Sequence, residues 1–112
     1  MIYRVVLSDT ANRDLRQIFE YIYYELKVPR SAVGILNKLE ESISSLEEMP
    51  NRYKVIVRKS LQKSLQSQKI RSMPVGNYVV IYIVEEKESV VNIMRVIYGG
   101  RDIDTELKYM GE

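Results

Sequence analysis

Two apolar stripes of helical period, separated by only the five residues Lys27-Val28-Pro29-Arg30-Ser31, constrain this chain more than any other feature of its sequence. The first runs through Ala11, Leu15, Ile18, Phe19, Ile22 and Leu26, with Asp14, Arg16, Gln17, Glu20 and Glu25 placed largely off it. Ser8-Asp9-Thr10 ahead of it supplies N-cap chemistry, so the helix is expected to start near residue 9 or 10. The second stripe runs through Ala32, Ile35, Leu36, Leu39, Ile43, Leu46 and Met49, and Pro50 stops it. Proline disfavours helical geometry in the residue before it and suits the first turn of a new helix, so Val28-Pro29 closes one helix and opens the next. Helices joined so briefly return on one another as an antiparallel hairpin, and both stripes then need an apolar surface to cover.

The remaining segments supply that surface as a sheet. Ile2 to Leu7 alternates, with Tyr3, Val5 and Leu7 on one face. Lys69 to Met73 reads as a strand, Pro74-Val75-Gly76-Asn77 as a turn, and Tyr78 to Val84 as a strong strand of β-branched and aromatic residues. Glu85 to Glu88 is a hairpin connection and Val90 to Tyr98 the returning strand. Residues 51 to 67 show no sustained period and read as a basic loop holding a short strand at Lys54 to Val57. The order strand, helix, helix, three strands predicts an α+β fold with the helical hairpin on one face of a small sheet. A chain of 112 residues is the size of one domain, here a folded core over 1–101 and a polar tail over 102–112 with one helical turn near Thr105 to Lys108.

Composition narrows the chemistry. The chain has no cysteine and no histidine, which excludes disulfides, thiolate metal sites and the commonest general base, leaving Lys, Arg, Tyr, Ser and carboxylates. Neither a metal nor another cofactor is expected. The N-terminus enters a strand pattern directly and no window approaches a membrane-spanning apolar run, so the chain is expected to be cytoplasmic and away from membranes. Residues 49 to 84 carry seven Lys/Arg (Arg52, Lys54, Arg58, Lys59, Lys63, Lys69, Arg71) and no acid, whereas the segments on either side are net acidic. A one-sign block in the middle of a domain is either a solvated loop or the footprint of an anionic partner.

The last strand ends in Tyr98-Gly99-Gly100-Arg101-Asp102, where two glycines let the chain turn beside a guanidinium. On its own this is a glycine turn and a solvated ion pair. Arg95 alternates with Ile93 and Ile97, so it lines a groove or pairs with a carboxylate. If the corner carries Arg101 beside Lys69 and Arg71, three cations converge at one edge of the sheet with few acids nearby.

Together, Tyr3 to Ser8 with Ala11, Asp14-Leu15 and Ile18 to Ile22, Leu46 with Met49-Pro50, Arg71, Asn77 to Tyr82, and Arg95-Val96 followed by Tyr98 to Ile103 resemble the RelE/ParE toxins of bacterial type II toxin–antitoxin modules, also known as plasmid stabilisation proteins. The resemblance covers nearly the whole chain and implies a mainly antiparallel curled sheet. It also implies a toxin that arrests growth until an antitoxin wraps it with a helical, acidic segment, and that meets operator DNA only through that antitoxin. Two mechanisms occur in this group. RelE-like members cut messenger RNA on the ribosome, and ParE-like members poison DNA gyrase.

As a metal-independent endoribonuclease the chain would use Lys69, Arg71 and Arg101. Lys69 and Arg71 fall near the place of a basic pair in RelE-like nucleases, and Arg101 matches the arginine after the glycine corner. The arginine expected after the aromatic at the start of the next strand is Val79 here, and the expected catalytic tyrosine is Leu107, with Tyr109 out of register. The Asp14-Leu15 signature and the Tyr-Gly-Gly-Arg-Asp-Ile ending lean to the ParE side. On that side Arg71, Arg95, Tyr98 and Arg101 would contact the target or the antitoxin, and an inactive relative that binds antitoxin only as co-repressor is a third reading.

Overall fold

The computed structural model describes residues 2–56, 69–99 and 106. Strand β1 (Arg4–Leu7) leads into helix α1 (Asp9–Glu20), whose N-cap is Ser8, with its hydroxyl accepting the Ala11 N–H at 2.9 Å. The helix widens into a π-helical turn over Tyr21–Glu25, and Lys27 ends the segment in the left-handed region at φ 57°. Helix α2 (Pro29–Ser44) starts on its proline and closes through 3-10 turns at Ser45–Glu47 and Pro50–Arg52. Arg52 caps this end by donating to the Glu48 carbonyl at 2.6 Å and the Ser45 hydroxyl at 3.0 Å. Strands β2 (Lys54–Val55), β3 (Ile70–Val75), β4 (Tyr78–Glu85) and β5 (Val90–Tyr98) complete the chain order.

The five strands form one sheet in the order β1-β5-β4-β3-β2, with β1 parallel to β5 and every other pair antiparallel. Among the described residues it is open, with β1 and β2 at its edges, and it lacks the curl that the resemblance implied. The β3–β4 hairpin turns on Gly76-Asn77 alone, because Val75 pairs with Tyr78, so Pro74 and Val75 belong to the strand and not to the turn. Gly76 sits at φ +58°, where a side chain would be strained. Lys69 lies just outside β3.

Alternation along β4 sorts the core into two layers. Val80 and Tyr82 face the helices with Met73, Val75, Val91, Ile93 and Val96, against Ala11, Leu15, Leu39, Ile43 and Leu46. Ile81 and Ile83 face the other way and pack with Ile70 and Ile97, flanked by Ile56, Val79 and Met94. Tyr82 is fully buried, and its hydroxyl donates to the Pro50 carbonyl at 2.6 Å, pinning the end of the helical hairpin to the sheet. Burial raises its phenol pKa to about 12, with Arg71 and Arg52 opposing.

Two members of the expected stripes, and one residue expected off them, behave differently. Leu26 is 52% and Met49 73% exposed, the first because the π turn and left-handed Lys27 rotate it off the stripe, the second because Met49 itself adopts φ 50° ahead of Pro50. Asp14, expected off the stripe, is 8% exposed and faces the sheet.

Candidate functional site

The reason for Asp14's burial lies at the β5 edge. β1 pairs with β5 only as far as Leu7 opposite Ile93, where the chain turns into α1. Beyond that point no described strand pairs with this edge of β5, and α1 supplies side chains there. Ser8 donates from its hydroxyl to the Met94 carbonyl at 2.9 Å, and Asp14 accepts the Val96 N–H at 2.9 Å. Opposite Ile81 and Tyr82, which pair with Arg95 and Ile93, Met94 is an extra residue, so a bulge aims Arg95 over this edge. Its Nε donates to Asp14 at 2.8 Å and its Nη1 to Glu106 at 3.0 Å. The Asp14 hydrogen bond pushes the Arg95 pKa up against the effect of burial, and Glu106 adds to it. Of the two readings of Arg95, the structure holds the carboxylate pair.

The basic pair Lys69 and Arg71 sits at the end of the sheet near the β4–β5 turn. There a cavity of about 690 Å³ is lined by Asn51, Lys69, Arg71, Ile83, Val84, Glu85 and Glu86. Arg71 donates from Nη1 to the carbonyls of Tyr53 at 2.7 Å and Asn51 at 3.1 Å, which ties the chain after α2 to β3. Glu86 accepts from the Tyr3 hydroxyl at 2.6 Å and from Asn51 Nδ2 at 2.8 Å. Those two bonds, then the charges of Arg71 and Lys69, hold its carboxyl below the usual range despite some desolvation, and the Glu86 bond in turn raises the Tyr3 phenol. The expectation of cations with few local acids is therefore corrected: Glu85 and Glu86 line the same cavity, brought there by the tight β4–β5 connection.

Tyr98 belongs to the opposite end. Arg71 pairs with Tyr82 and Tyr98 with Tyr78, so the two rows are separated by about 13 Å along the strands at roughly 3.3 Å per residue. Tyr78 and Tyr98 meet edge to face at 5.9 Å beside a cavity of about 250 Å³ that Pro74, Gly76, Asn77, Val79 and Gly99 also line. Burial, then the neighbouring Tyr98 and Tyr21, pushes the Tyr78 phenol up. The first glycine of the corner is a close approach: Gly99 donates its N–H to the Asn77 carbonyl at 2.8 Å, and a Cβ there would stand 3.3 Å from that oxygen. Gly100, Arg101, Leu107 and Tyr109 lie outside the described residues, as does the tail apart from Glu106. Lys69 and Arg71 are thus together, and Arg95 and Tyr98 stand apart from them.

For RNA cleavage the Lys69–Arg71 end offers one engaged guanidinium, an ammonium, and two carboxylates, one of them engaged by two donors. Val79 packs in the apolar layer on the far face, paired with Ile97. Among the described residues no group of three or more acids could hold a metal ion, and no helix is long and apolar enough to cross a membrane.

A helical hairpin over a mainly antiparallel sheet with a parallel first strand is a fold this chain shares with solved proteins of toxin–antitoxin systems. The sequence profile of the ParE toxin of the parDE type II toxin–antitoxin system matches residues 5–103. Among solved structures, the chromosomal ParDE system of P. aeruginosa superposes with a TM-score of 0.66 at 15% identity, covering 87% of this chain and 96% of that one. The RelBE2 toxin–antitoxin complex of Mycobacterium tuberculosis gives 0.60 at 23% identity, covering 88% and 99%. The archaeal RelE–RelB complex of Pyrococcus horikoshii gives 0.58 at 22% identity, covering 91% and 100%. No curated protein matches by sequence. The chain belongs to the ParE toxin family and is the toxin of a type II toxin–antitoxin system.

Proposed function

We propose that this toxin arrests growth in the ParE manner, by inhibiting DNA gyrase, and that a cognate antitoxin holds it inactive. The observation that carries the reading is the match of the ParE profile over residues 5–103. Two features favour it over RNA cleavage. Val79 occupies the position where the nuclease resemblance expects an arginine, and Glu86 sits as an ionised, doubly hydrogen-bonded carboxylate in the Lys69–Arg71 cavity, where a phosphodiester in transit would be repelled. The solved relatives are described as toxin–antitoxin complexes, which supports an antitoxin as the partner here. Arg101 and the half-exposed Tyr98 are the residues we assign to contact with the target or antitoxin, whereas Arg71 and Arg95 are assigned to holding the fold that presents them.

Expression of the chain without its neighbour in the operon is expected to arrest growth and induce the DNA-damage response, with no codon-phased cuts in translated messages by primer extension. Codon-phased cuts would overturn the proposal in favour of a ribosome-dependent endonuclease. Normal growth at wild-type protein levels would overturn it in favour of an inactive antitoxin-binding relative.

A further inference from the structure

Three tyrosines from three elements meet at the end of the sheet away from Lys69 and Arg71. Tyr78 on β4 and Tyr98 on β5 stand opposite one another in the paired row beside the Gly76-Asn77 turn, with ring centroids 5.9 Å apart edge to face. Tyr21, at the start of the π-helical turn, is close enough for its phenol to act on that of Tyr78. Tyr21 is 56% and Tyr98 50% exposed. The cavity of about 250 Å³ beside the pair is bounded by the same turn, Pro74, Val79 and Gly99. A Cβ at Gly99 would stand 3.4 Å from Val79 Cγ2 and crowd this space, so the glycine leaves it open. The hydroxyls of Tyr3 and Tyr82 each donate to a protein oxygen, whereas those of Tyr21, Tyr78 and Tyr98 meet no partner among the described residues.

Size, charge and donor chemistry together define what fills such a cavity. It is smaller than the roughly 300 to 1,000 Å³ of small-molecule and cofactor sites, and takes one or two side chains of a partner. No charged side chain lines it, so its complement is neutral. Aromatic faces take a flat apolar ring, and the phenol hydroxyls offer hydrogen bonds to acceptors next to that ring. We infer that this corner is a docking groove for a neutral, extended, proline-bearing segment of the target protein, with a proline ring against the Tyr78–Tyr98 pair and tyrosine hydroxyls donating to the carbonyls beside it. An extended polyproline segment has no internal hydrogen bonds and little entropy to lose, so its carbonyls are free for such donors. A helix has already spent most of its carbonyls on its own backbone. Single-stranded nucleic acid also stacks on aromatic rings, but it is held in a positively charged groove, and no cation lines this one. The inference rests on the proposed reading of Tyr98 as a contact residue and names the chemistry of what it contacts.

The test is an NMR titration of the full chain with three probes in about 0.15 M salt: a short capped peptide of proline and alanine, a capped peptide of the same length in alanine and glutamine, and a short oligothymidylate. The proline peptide is expected to shift the amides of Asn77, Tyr78, Val79, Tyr98 and Gly99 saturably, and the other two probes should leave them in place. Tyr98→Phe should weaken the proline peptide by about two- to tenfold, the loss for one neutral hydrogen bond, and Tyr98→Leu should abolish the saturable shifts. The amide spectrum and thermal midpoint of each variant show that it is folded. Absence of shifts from the proline peptide, equal shifts from the alanine-glutamine peptide, larger shifts from the oligothymidylate, or unchanged affinity of Tyr98→Leu would each overturn the groove. In a gyrase supercoiling assay an excess of the proline peptide should relieve inhibition by the toxin, and binding without relief would overturn the target as the source of the segment. A toxin with no effect on gyrase would refute the proposed function alone, because the amide shifts are measured without gyrase.

Discussion

Replacing Asp14 with alanine tests the most unexpected feature of the fold. Asp14 accepts the Val96 N–H at 2.9 Å and holds Arg95 Nε at 2.8 Å, with both side chains mostly buried at 10% and 18% exposure. Leaving a buried N–H unsatisfied costs about 1 to 3 kcal/mol. Breaking a fully buried ion pair costs about 3 to 5 kcal/mol, but Arg95 keeps Glu106 at 3.0 Å and is not wholly desolvated, so the lower end applies. The two losses share one carboxylate and do not add in full, which gives about 3 kcal/mol for Asp14→Ala. For a domain of this size that is a fall of roughly 12 °C in thermal midpoint at about 4 °C per kcal/mol. Asp14→Asn, which can still offer an oxygen to Val96, should lose about half as much. Chemical denaturation with amide hydrogen exchange is the assay, and the Val96 amide should lose protection out of proportion to its neighbours in Asp14→Ala. A loss under about 1 kcal/mol with Val96 protection unchanged would refute the view that a side chain stands in for the missing strand.

Leu39, 1% exposed between the helices and the sheet, should cost about 2 to 5 kcal/mol on truncation to alanine, read as a lower denaturation midpoint with an unchanged slope. The depressed carboxyl of Glu86 contributes stability that is present above the ordinary carboxylate value and lost as pH falls through its lower folded value. The acid unfolding curve should therefore flatten below about pH 4.5 in Glu86→Gln, and an unchanged curve would count against the Tyr3–Glu86–Asn51 tie. Tyr82 works in the opposite sense: a phenol raised to about 12 favours folding below its unfolded value of 10.0 and loses that contribution as pH climbs through 12. Phenolate absorbance should show a tyrosine missing from the ordinary titration near pH 10, and the loss of one residue's worth of the late phase in Tyr82→Phe is the check.

Local signals carried much of this architecture. The helical stripes, Ser8 as cap and Val28-Pro29 as a break all act within a turn or two of themselves, and they are where the sequence pattern puts them. Val90 to Tyr98 matches its strand for the same reason. The departures come from tertiary context. Asp14 falls at three and four residues from Ala11 and Ile18, in phase with the stripe, and that phase was the available signal; its charge argued for solvent because the partner Arg95 lies on a strand far along the chain. The unbroken apolar run of Tyr78 to Val84 signals a strand covered on both faces, which the second layer of Ile70, Ile81, Ile83 and Ile97 explains. No local pattern foretells Glu86 beside Lys69 and Arg71, since it depends on how the β4–β5 turn folds back to meet Tyr3 and Asn51. The separation of Tyr98 from Lys69 and Arg71 likewise needs strand register, which sequence spacing does not contain.

The most direct test of the proposed mechanism puts the purified protein together with DNA gyrase, relaxed plasmid and ATP. If gyrase is the target, supercoiling falls as toxin is added and plasmid linearised by trapped gyrase appears on protein denaturation. Arg101→Ala should remove both effects without lowering the thermal midpoint, the outcome expected of a residue that contacts the target and takes no part in the core. Full supercoiling and no linear plasmid at toxin in excess over gyrase, from protein that still arrests growth in cells, would contradict it.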